Sequence, residues 1–408
     1  MNNKVRAQLS IMMFLEFFVW GSWFVTMGIY LPNTLQSNGA EIAMAYSTQS
    51  WGAILAPFVI GLIADRYFNA ERILGVLHLL GAGLMYLLYG ATDFEIFFPY
   101  LLVYMIMYMS TLALVNSVSF NQMKDPAKEF SFVRVFGTIG WIAAGLLISY
   151  FNWDSQNGIS EGILRNTFLM AAMSSAALGL FCFTLPKTPP RADKSKKIAV
   201  KDILGLDALA LLKDRNFLIF FLASVLICIP LAFYYQHAGQ FLGEIGVANP
   251  AGKMTIGQIS EILFMLLLPF FFKKFGFKMT IIVAMLAWGL RYLLFAYGDT
   301  GELTVLLLVG IALHGICYDF FFVSGQIYTD SKAGATFKSS AQGLITLATY
   351  GIGMLIGFWI AGRITDTYLS AEGVHYWKTI WLYPAAFALA VLVLYALMFK
   401  NEKIAYKS

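Results

Sequence analysis

Charge is what this chain has least of. Only 12% of its 408 residues are Asp, Glu, Lys or Arg, against about 25% in a soluble globular domain. A globule of this size cannot cover itself with so little polar surface. Cysteine is scarce too. Cys182, Cys228 and Cys317 are an odd number without paired spacing, which excludes a disulfide framework and a metal-ligand set. All three lie in apolar runs and read as core filler. There is no HExxH, no CxxC, and no GxSxG in a plausible context, which removes the usual grounds for a membrane-embedded enzyme. No metal and no cofactor is expected. The net charge of +5 is spread over short connectors and does not mark a nucleic-acid binder.

What fills the chain is apolar: 59% hydrophobic residues and a mean hydropathy of +0.70. Runs of about 20 residues, the length that crosses a bilayer as helix, recur throughout. Twelve are read, near 8–31, 42–64, 71–91, 94–119, 131–151, 164–185, 217–243, 254–274, 278–297, 303–328, 338–364 and 377–399. The short alternating strands of a membrane β-barrel are not seen. The first run is long and lacks a small-residue cleavage site, so it reads as a retained helix and not a signal peptide.

The connectors alternate in charge. One set holds Lys4, Arg6, Arg66, Arg72, Lys124, Lys128, the segment from Lys187 to Arg215, Lys273, Lys274, Lys278, Lys332, Lys338, Lys400, Lys403 and Lys407. The other holds Glu41, Asp93, Glu95, Asp154, Glu161, Glu244, Asp299, Glu302, Asp366 and Glu372. The positive-inside rule places the first set, and with it both termini, in the cytoplasm. An even number of spans is then required.

One connector is long, basic and Pro-rich (residues 186–215) and parts the spans six and six. Its apolar run from Ile203 to Leu212 is expected to form an interfacial amphipathic helix. The expected organisation is a six-helix bundle at 1–186, a cytoplasmic linker at 187–215 and a second bundle at 216–408. This pattern resembles the major facilitator superfamily, whose two halves rock around a midplane site. The stretch GLIADRYFNAERIL (61–74) resembles that superfamily's loop signature between its second and third helices. Gly61, Asp65, Arg66 and Arg72 are there expected to form a conformational latch. The matching connector in the second half, FFFKKFGFKMT (270–280), keeps the basic residues and lacks the Asp. Small residues at Gly137, Gly140 and Ala144, and at Gly351, Gly353 and Gly357, read as close helix packing.

The intramembrane polar residues carry the functional signal, because an ionised side chain at bilayer depth costs several kcal/mol and is retained for a task. Asp319 sits inside LLLVGIALHGICYDFFFVSGQIY (306–328), five residues after His314 and next to Tyr318. Glu261 follows Gln258 by three residues, which puts an amide and a carboxylate on one helix face. That pair suits a ligand with several hydroxyls or a base edge. Arg134, Thr138 and Trp141 form a stripe at helical spacing, although Arg134 alone reads equally as a snorkelling interfacial residue. The seventh span is dense in Tyr234, Tyr235, Gln236, His237 and Gln240, with Pro230 to permit a kink. Glu16 is a further buried acid, undecided between packing and site.

Seven stretches taken together resemble the bacterial nucleoside:proton symporter family. They are FFVWGSWFVTMGIY (17–30), RVFGTIGW (134–141), ILGLDALALLK (203–213), QISEILF (258–264), LRYLLFAYGD (290–299), YDFFFVSG (318–325) and SAQG (340–343). The resemblance runs from the first helix to the eleventh. It implies nucleoside import by proton symport through alternating access, in the bacterial inner membrane, by a chain that works as a monomer. Carried over by position, it implies substrate binding by Arg134, Thr138, Trp141, Gln258, Glu261, His314, Tyr318 and Asp319. Gln236 and Gln240 are both candidates, since the seventh-span amides do not align without a gap. Familiar members have Phe where Trp141 stands, Tyr where His314 stands and Gln where Glu16 stands, which leaves the preferred base open. Proton coupling falls to Asp319 and Glu261. A proton-coupled sugar or oligosaccharide symporter of the same fold is the alternative, and a non-transporting receptor a more distant one.

Overall fold

The computed structural model describes residues 1–59, 68–124, 126–189, 206–333 and 338–402. Ten helices among them are long and apolar enough to cross a membrane. One of these, Pro250–Tyr297, holds Gly276 at φ 75°, ψ 174°, a left-handed break that splits it into two helices. With Gly39–Val59, a helix of 21 residues, the total is twelve. They are named in order: α1 (Asn3–Thr34), α2 (Gly39–Val59), α3 (Ala70–Tyr89), α4 (Phe94–Gln122), α5 (Pro126–Tyr150), α6 (Ile163–Cys182), α7 (Arg215–Glu244), α8 (250–275), α9 (277–297), α10 (Thr304–Ala333), α11 (Ser340–Thr367) and α12 (Trp377–Met398). The molecule is an all-helical membrane protein.

Their starts are chemically marked. The side chain of Asn2 accepts from Lys4 N at 3.1 Å, Asp93 from Ile96 N at 2.9 Å and Asp214 from Phe217 N at 2.9 Å. Each satisfies a backbone donor that the helix leaves open. The helix surfaces invert the soluble rule: Leu80, Leu146, Leu266 and Leu397 are all more than half exposed, as lipid-facing residues must be.

The chain forms two compact units. The first comprises Met1–Ser37, Met44–Ala199 and Ala248–Thr255; the second comprises Asn38–Ala43, Val200–Val247 and Ile256–Ser408. Within the first, α3 packs on α4 and α6, and α1 runs along α5 and α6. Leu9, Met12, Leu74, Leu114, Val118 and Leu178 fill the space between them. A Cβ on Gly140 would collide with the Phe14 carbonyl, and one on Gly137 with the Phe17 ring. These are the close approaches the small-residue spacing predicts. Within the second unit, α7 packs on α11 and α12. Gly353 and Gly357 there face the backbone of Val225 and Ile229 on α7.

The start of α8 belongs with the first unit. Asp154 Oδ2 accepts from Ala251 N at 2.8 Å, and Ser149 Oγ from Gly252 N at 2.8 Å. The start of α2 belongs with the second: Asp366 Oδ1 accepts from Gly39 N at 2.7 Å.

Two sequence expectations change here. The segment expected as an amphipathic helix is a 3₁₀ turn over Leu206–Lys213, with Ile203 to Gly205 outside the described residues. Its eight residues end just before Asp214, which already caps α7, and are too short for a separate α-helix of any stability. Of the latch residues, Gly61, Asp65 and Arg66 lie outside the described residues, and Arg72 is exposed at the start of α3.

Candidate functional site

Each unit carries a polar cluster among its apolar helices. In the first, α5 presents Arg134, Thr138 and Trp141 along one stripe. The Arg134 guanidinium stands 4.1 Å from the centroid of the Phe17 ring, so a π face meets its charge. Thr138 is buried and Trp141 half-buried. The Trp141 indole meets Trp20 edge-on at 5.4 Å, and Trp20 meets Tyr108 at 5.5 Å. A Cβ on Gly21 would lie 3.0 Å from the Trp141 Cα, so α1 offers no side chain there and the indole takes the room.

In the second unit, α7, α8, α9, α10 and α11 contribute. Two contacts lock α8 to α10: Ser260 Oγ donates to Ala312 O at 2.6 Å, and Gly315 N donates to Ser260 Oγ at 2.9 Å. Gly315 allows this, since a Cβ there would sit 2.5 Å from Ser260 backbone atoms. The lock sets Glu261 beside His314, with Oε2 3.9 Å from Nε2. The His314 ring lies between Tyr234, at 5.5 Å, and Tyr318, at 5.6 Å, both stacked. Tyr318 and Tyr350 share a hydroxyl hydrogen bond of 2.8 Å. Gln258 is half-buried, one turn before Glu261.

Asp319 is fully buried. It opens a π-helical turn, Asp319–Val323, within α10. A second π turn, Leu347–Gly353, lies in α11 and carries Tyr350. Single π turns inside α-helices recur at functional positions.

The two seventh-span amides part company. Gln240 Oε1 bonds His237 Nδ1 at 2.9 Å, and His237 Nε2 bonds Thr365 Oγ1 at 2.9 Å, an internal tie from α7 to α11. Gln236 is completely buried, and neither of its amide atoms meets a hydrogen-bond partner among the described residues. An amide in that position has donors and an acceptor to offer.

Arg291 on α9 was not singled out by the sequence. It is fully buried, donates from Nε to Gly310 O at 3.0 Å, and stands 3.9 Å over the Tyr234 ring. The signal was there: a lone cation in the middle of an apolar run obeys the same rule as Asp319. His78 on α3 was also passed over, and so was Tyr350.

Among the described residues no group of acids, histidines and cysteines could hold a metal ion. What the two clusters offer is cation, amide, carboxylate and aromatic chemistry inside helices that belong in a membrane. The family model described as nucleoside H⁺ symporter matches residues 1–404.

The chain belongs to the nucleoside H⁺ symporter family. It is a transporter and not an enzyme. It is 42% identical over 407 residues to the putative nucleoside transporter YegT of Escherichia coli strain K12, covering 98% of this chain and 95% of that one. It is 34% identical to the xanthosine permease of the same organism, over 99% of each chain. Crystal structures of the nucleoside transporter NupG superpose with TM-scores of 0.89, for a mutant, and 0.85. Both are 32% identical and cover at least 97% of this chain and 100% of that one. A bacterial homologue of the lysosomal transporter Spinster, only 13% identical, shares the fold at a TM-score of 0.74. The major facilitator fold expected from the sequence is the fold this family member has.

Proposed function

We propose that this family member imports nucleosides with protons, by alternating access of its two six-helix units in the bacterial inner membrane. Both termini lie in the cytoplasm, the chain works as a monomer, and residues 187–215 join bundles 1–186 and 216–408. Gly61, Asp65, Arg66 and Arg72 latch the cytoplasmic ends of neighbouring helices. The observation that carries the proposal is the Glu261–His314 approach in the unit that also buries Asp319 and Gln236, in a chain matched by the family model over nearly its full length.

A nucleoside is neutral, so its uphill movement needs an ion. A carboxylate removed from water holds a proton more readily than one in water. Asp319 or Glu261 takes a proton from the outside and binds a ribose hydroxyl; hydration after inward opening releases both. Gln258 and Gln236 read the base edge with donor and acceptor together. Gln240 lies nearby on α7, with its amide committed to His237. Trp141 and Tyr318 stack on the base, each worth about 1–3 kcal/mol by analogy with protein–nucleic-acid stacking. His314 orients Glu261. Thr138 offers a hydroxyl, and Arg134, which keeps its proton, positions substrate and carries no coupling proton.

The test is uptake of labelled uridine or adenosine into vesicles, with and without a protonophore. Unlabelled nucleosides, bases and sugars serve as competitors. Asp319→Asn should abolish accumulation above the outside concentration. A mutant that still concentrates nucleoside under a proton gradient removes Asp319 from coupling. Competition by free sugars and not by nucleosides would move the substrate to the sugar class. Binding without flux would make the chain a receptor.

A further inference from the structure

The first unit holds a buried acid–base pair that the transport scheme above leaves unused. Glu16 on α1 has no exposed surface, and His78 on α3 is 2% exposed. Glu16 Oε2 lies 2.8 Å from His78 Nε2. Thr111 Oγ1 on α4 is 2.6 Å from Glu16 Oε1 and 2.7 Å from the Tyr108 carbonyl. Its single O–H therefore has two acceptors to choose from. On the far side of the imidazole, Ser175 Oγ on α6 is 3.1 Å from His78 Nδ1 and 2.9 Å from the His78 carbonyl. That hydroxyl also has a choice.

These choices let the cluster satisfy two proton counts. With the extra proton present, the pair is neutral overall, as carboxylate and imidazolium or as carboxylic acid and imidazole. In both forms Nδ1–H donates to Ser175 Oγ, and Ser175 donates to the His78 carbonyl. With the proton gone, the pair carries one negative charge. Nε2–H then donates to the carboxylate, Nδ1 becomes an acceptor, and the Ser175 hydroxyl turns from the carbonyl to Nδ1. No partner is lost in either state. A purely structural buried pair needs only one arrangement, and would leave a buried polar group unmet in the other. Other titratable or charged groups around the pair are Tyr104 and Tyr108 of α4, Arg134 of α5 beside Tyr108, and Cys182 of α6, with Glu71 of α3 near Cys182. Tyr108 donates its own hydroxyl to the Glu16 carbonyl at 2.7 Å and pins the backbone.

We propose that Glu16 and His78, switched by the Ser175 hydroxyl, form a second proton-binding site of this transporter, loaded and emptied in each cycle separately from Glu261 and Asp319. Its part in transport rests on the symport proposed above; its proton binding does not.

Two measurements separate these. The first is infrared difference spectroscopy of the purified full-length chain, titrated over roughly pH 5 to 8, the range in which histidine side chains ordinarily change charge. A carboxyl or imidazole change that disappears in both Glu16→Gln and His78→Asn, and shifts its midpoint in Ser175→Ala, is expected. A native spectrum in which no such change is lost in Glu16→Gln overturns the site. The Ser175→Ala shift carries this test if the two stronger variants do not fold. The second is the proton-to-nucleoside ratio from reversal potentials in proteoliposomes. Glu16→Gln is expected to move one proton fewer per nucleoside than the native chain. An unchanged ratio and pH profile overturn the role in the cycle. A native chain with no proton-linked flux overturns the symport reading, and the infrared result still decides the site.

Discussion

The two units bury their polar groups in opposite ways. Around Glu16 the hydrogen bonds are short and complete, from 2.6 to 2.8 Å, with partners on two other helices. In the second unit Gln236 is buried without a hydrogen-bond partner among the described residues, and the Glu261 carboxylate stands 3.9 Å from the His314 imidazole. A buried polar network that is fully satisfied fixes one arrangement of its helices, whereas a loose one keeps hydrogen-bonding capacity in reserve. The loose cluster is the one suited to meeting a ligand. The tight one is suited to something as small as a proton.

The sharpest way to break the contrast is at the two acids. Glu261→Gln should abolish concentrative nucleoside uptake in the protonophore assay, whereas Glu16→Gln should leave accumulation present with a weaker dependence on the proton gradient. Equal losses would erase the distinction. Next comes the pair of α7 amides. Gln236→Ala should raise the half-saturation concentration about tenfold, the equivalent of about 1.4 kcal/mol. Gln240→Ala should cost about 1 kcal/mol of stability through the freed His237, read as a lower melting temperature in detergent, with half-saturation little moved.

Packing sharpens the comparison further. Gly315→Ala forces α8 and α10 apart at Ser260, with a cost of about 1–3 kcal/mol and a loosened Glu261–His314 approach. Thermal unfolding and uptake should fall together. Gly137→Ala, which presses on the aromatic Phe17 ring and the Arg134 head, should lower the melting temperature.

The smallest effect lies outside the membrane. Burial raises the pKa of Asp154 above its usual range, against the pull of the Ser149 hydroxyl and the Ala251 amide. A raised value means that the folded chain holds the proton more tightly than the unfolded one. The associated stability is complete in acid and is lost as pH rises through the folded value. Asp154→Asn, which keeps an acceptor and never ionises, should therefore gain melting temperature relative to the native chain between acid and neutral pH. A difference that does not vary with pH would contradict this.

Much of the architecture could be read from composition and spacing. Runs near 8–31 and 94–119 became helices Asn3–Thr34 and Phe94–Gln122, the first longer by five residues at its start and three at its end, the second by three at its end alone. The Asn2 cap starts a helix in polar sequence ahead of its apolar stretch, whereas the Asp93 cap fixes the start where the run begins. The split between the eighth and ninth spans was legible because FGF interrupts the run, and Gly276 makes the break. The site was legible in part. Asp319, Glu261 and Arg134 stand out as charges in apolar runs. Gln236 and Gln240 could not be told apart: Gln240 bonds His237 one turn away on the same helix, but that ring is tied in turn to Thr365 on another helix, 128 residues beyond His237 along the chain. His78 was passed over for the same reason. Its meaning depends on Glu16, 62 residues earlier, and helical periodicity reports neighbours one turn away but not partners across a bundle.

The π turn that begins at Asp319 has one more consequence. It stores one residue beyond regular winding, so deleting a single residue from 319–323 would let the helix heal into ordinary α geometry instead of breaking. The flanking turns would keep their faces, since five residues of π winding sweep about the same angle as four of α, and only the side chains within the turn would change place. At most places in a membrane helix a one-residue indel scrambles packing beyond repair. Here the backbone already holds the slack, so natural variation can retune what surrounds the acid by changing length as well as letters.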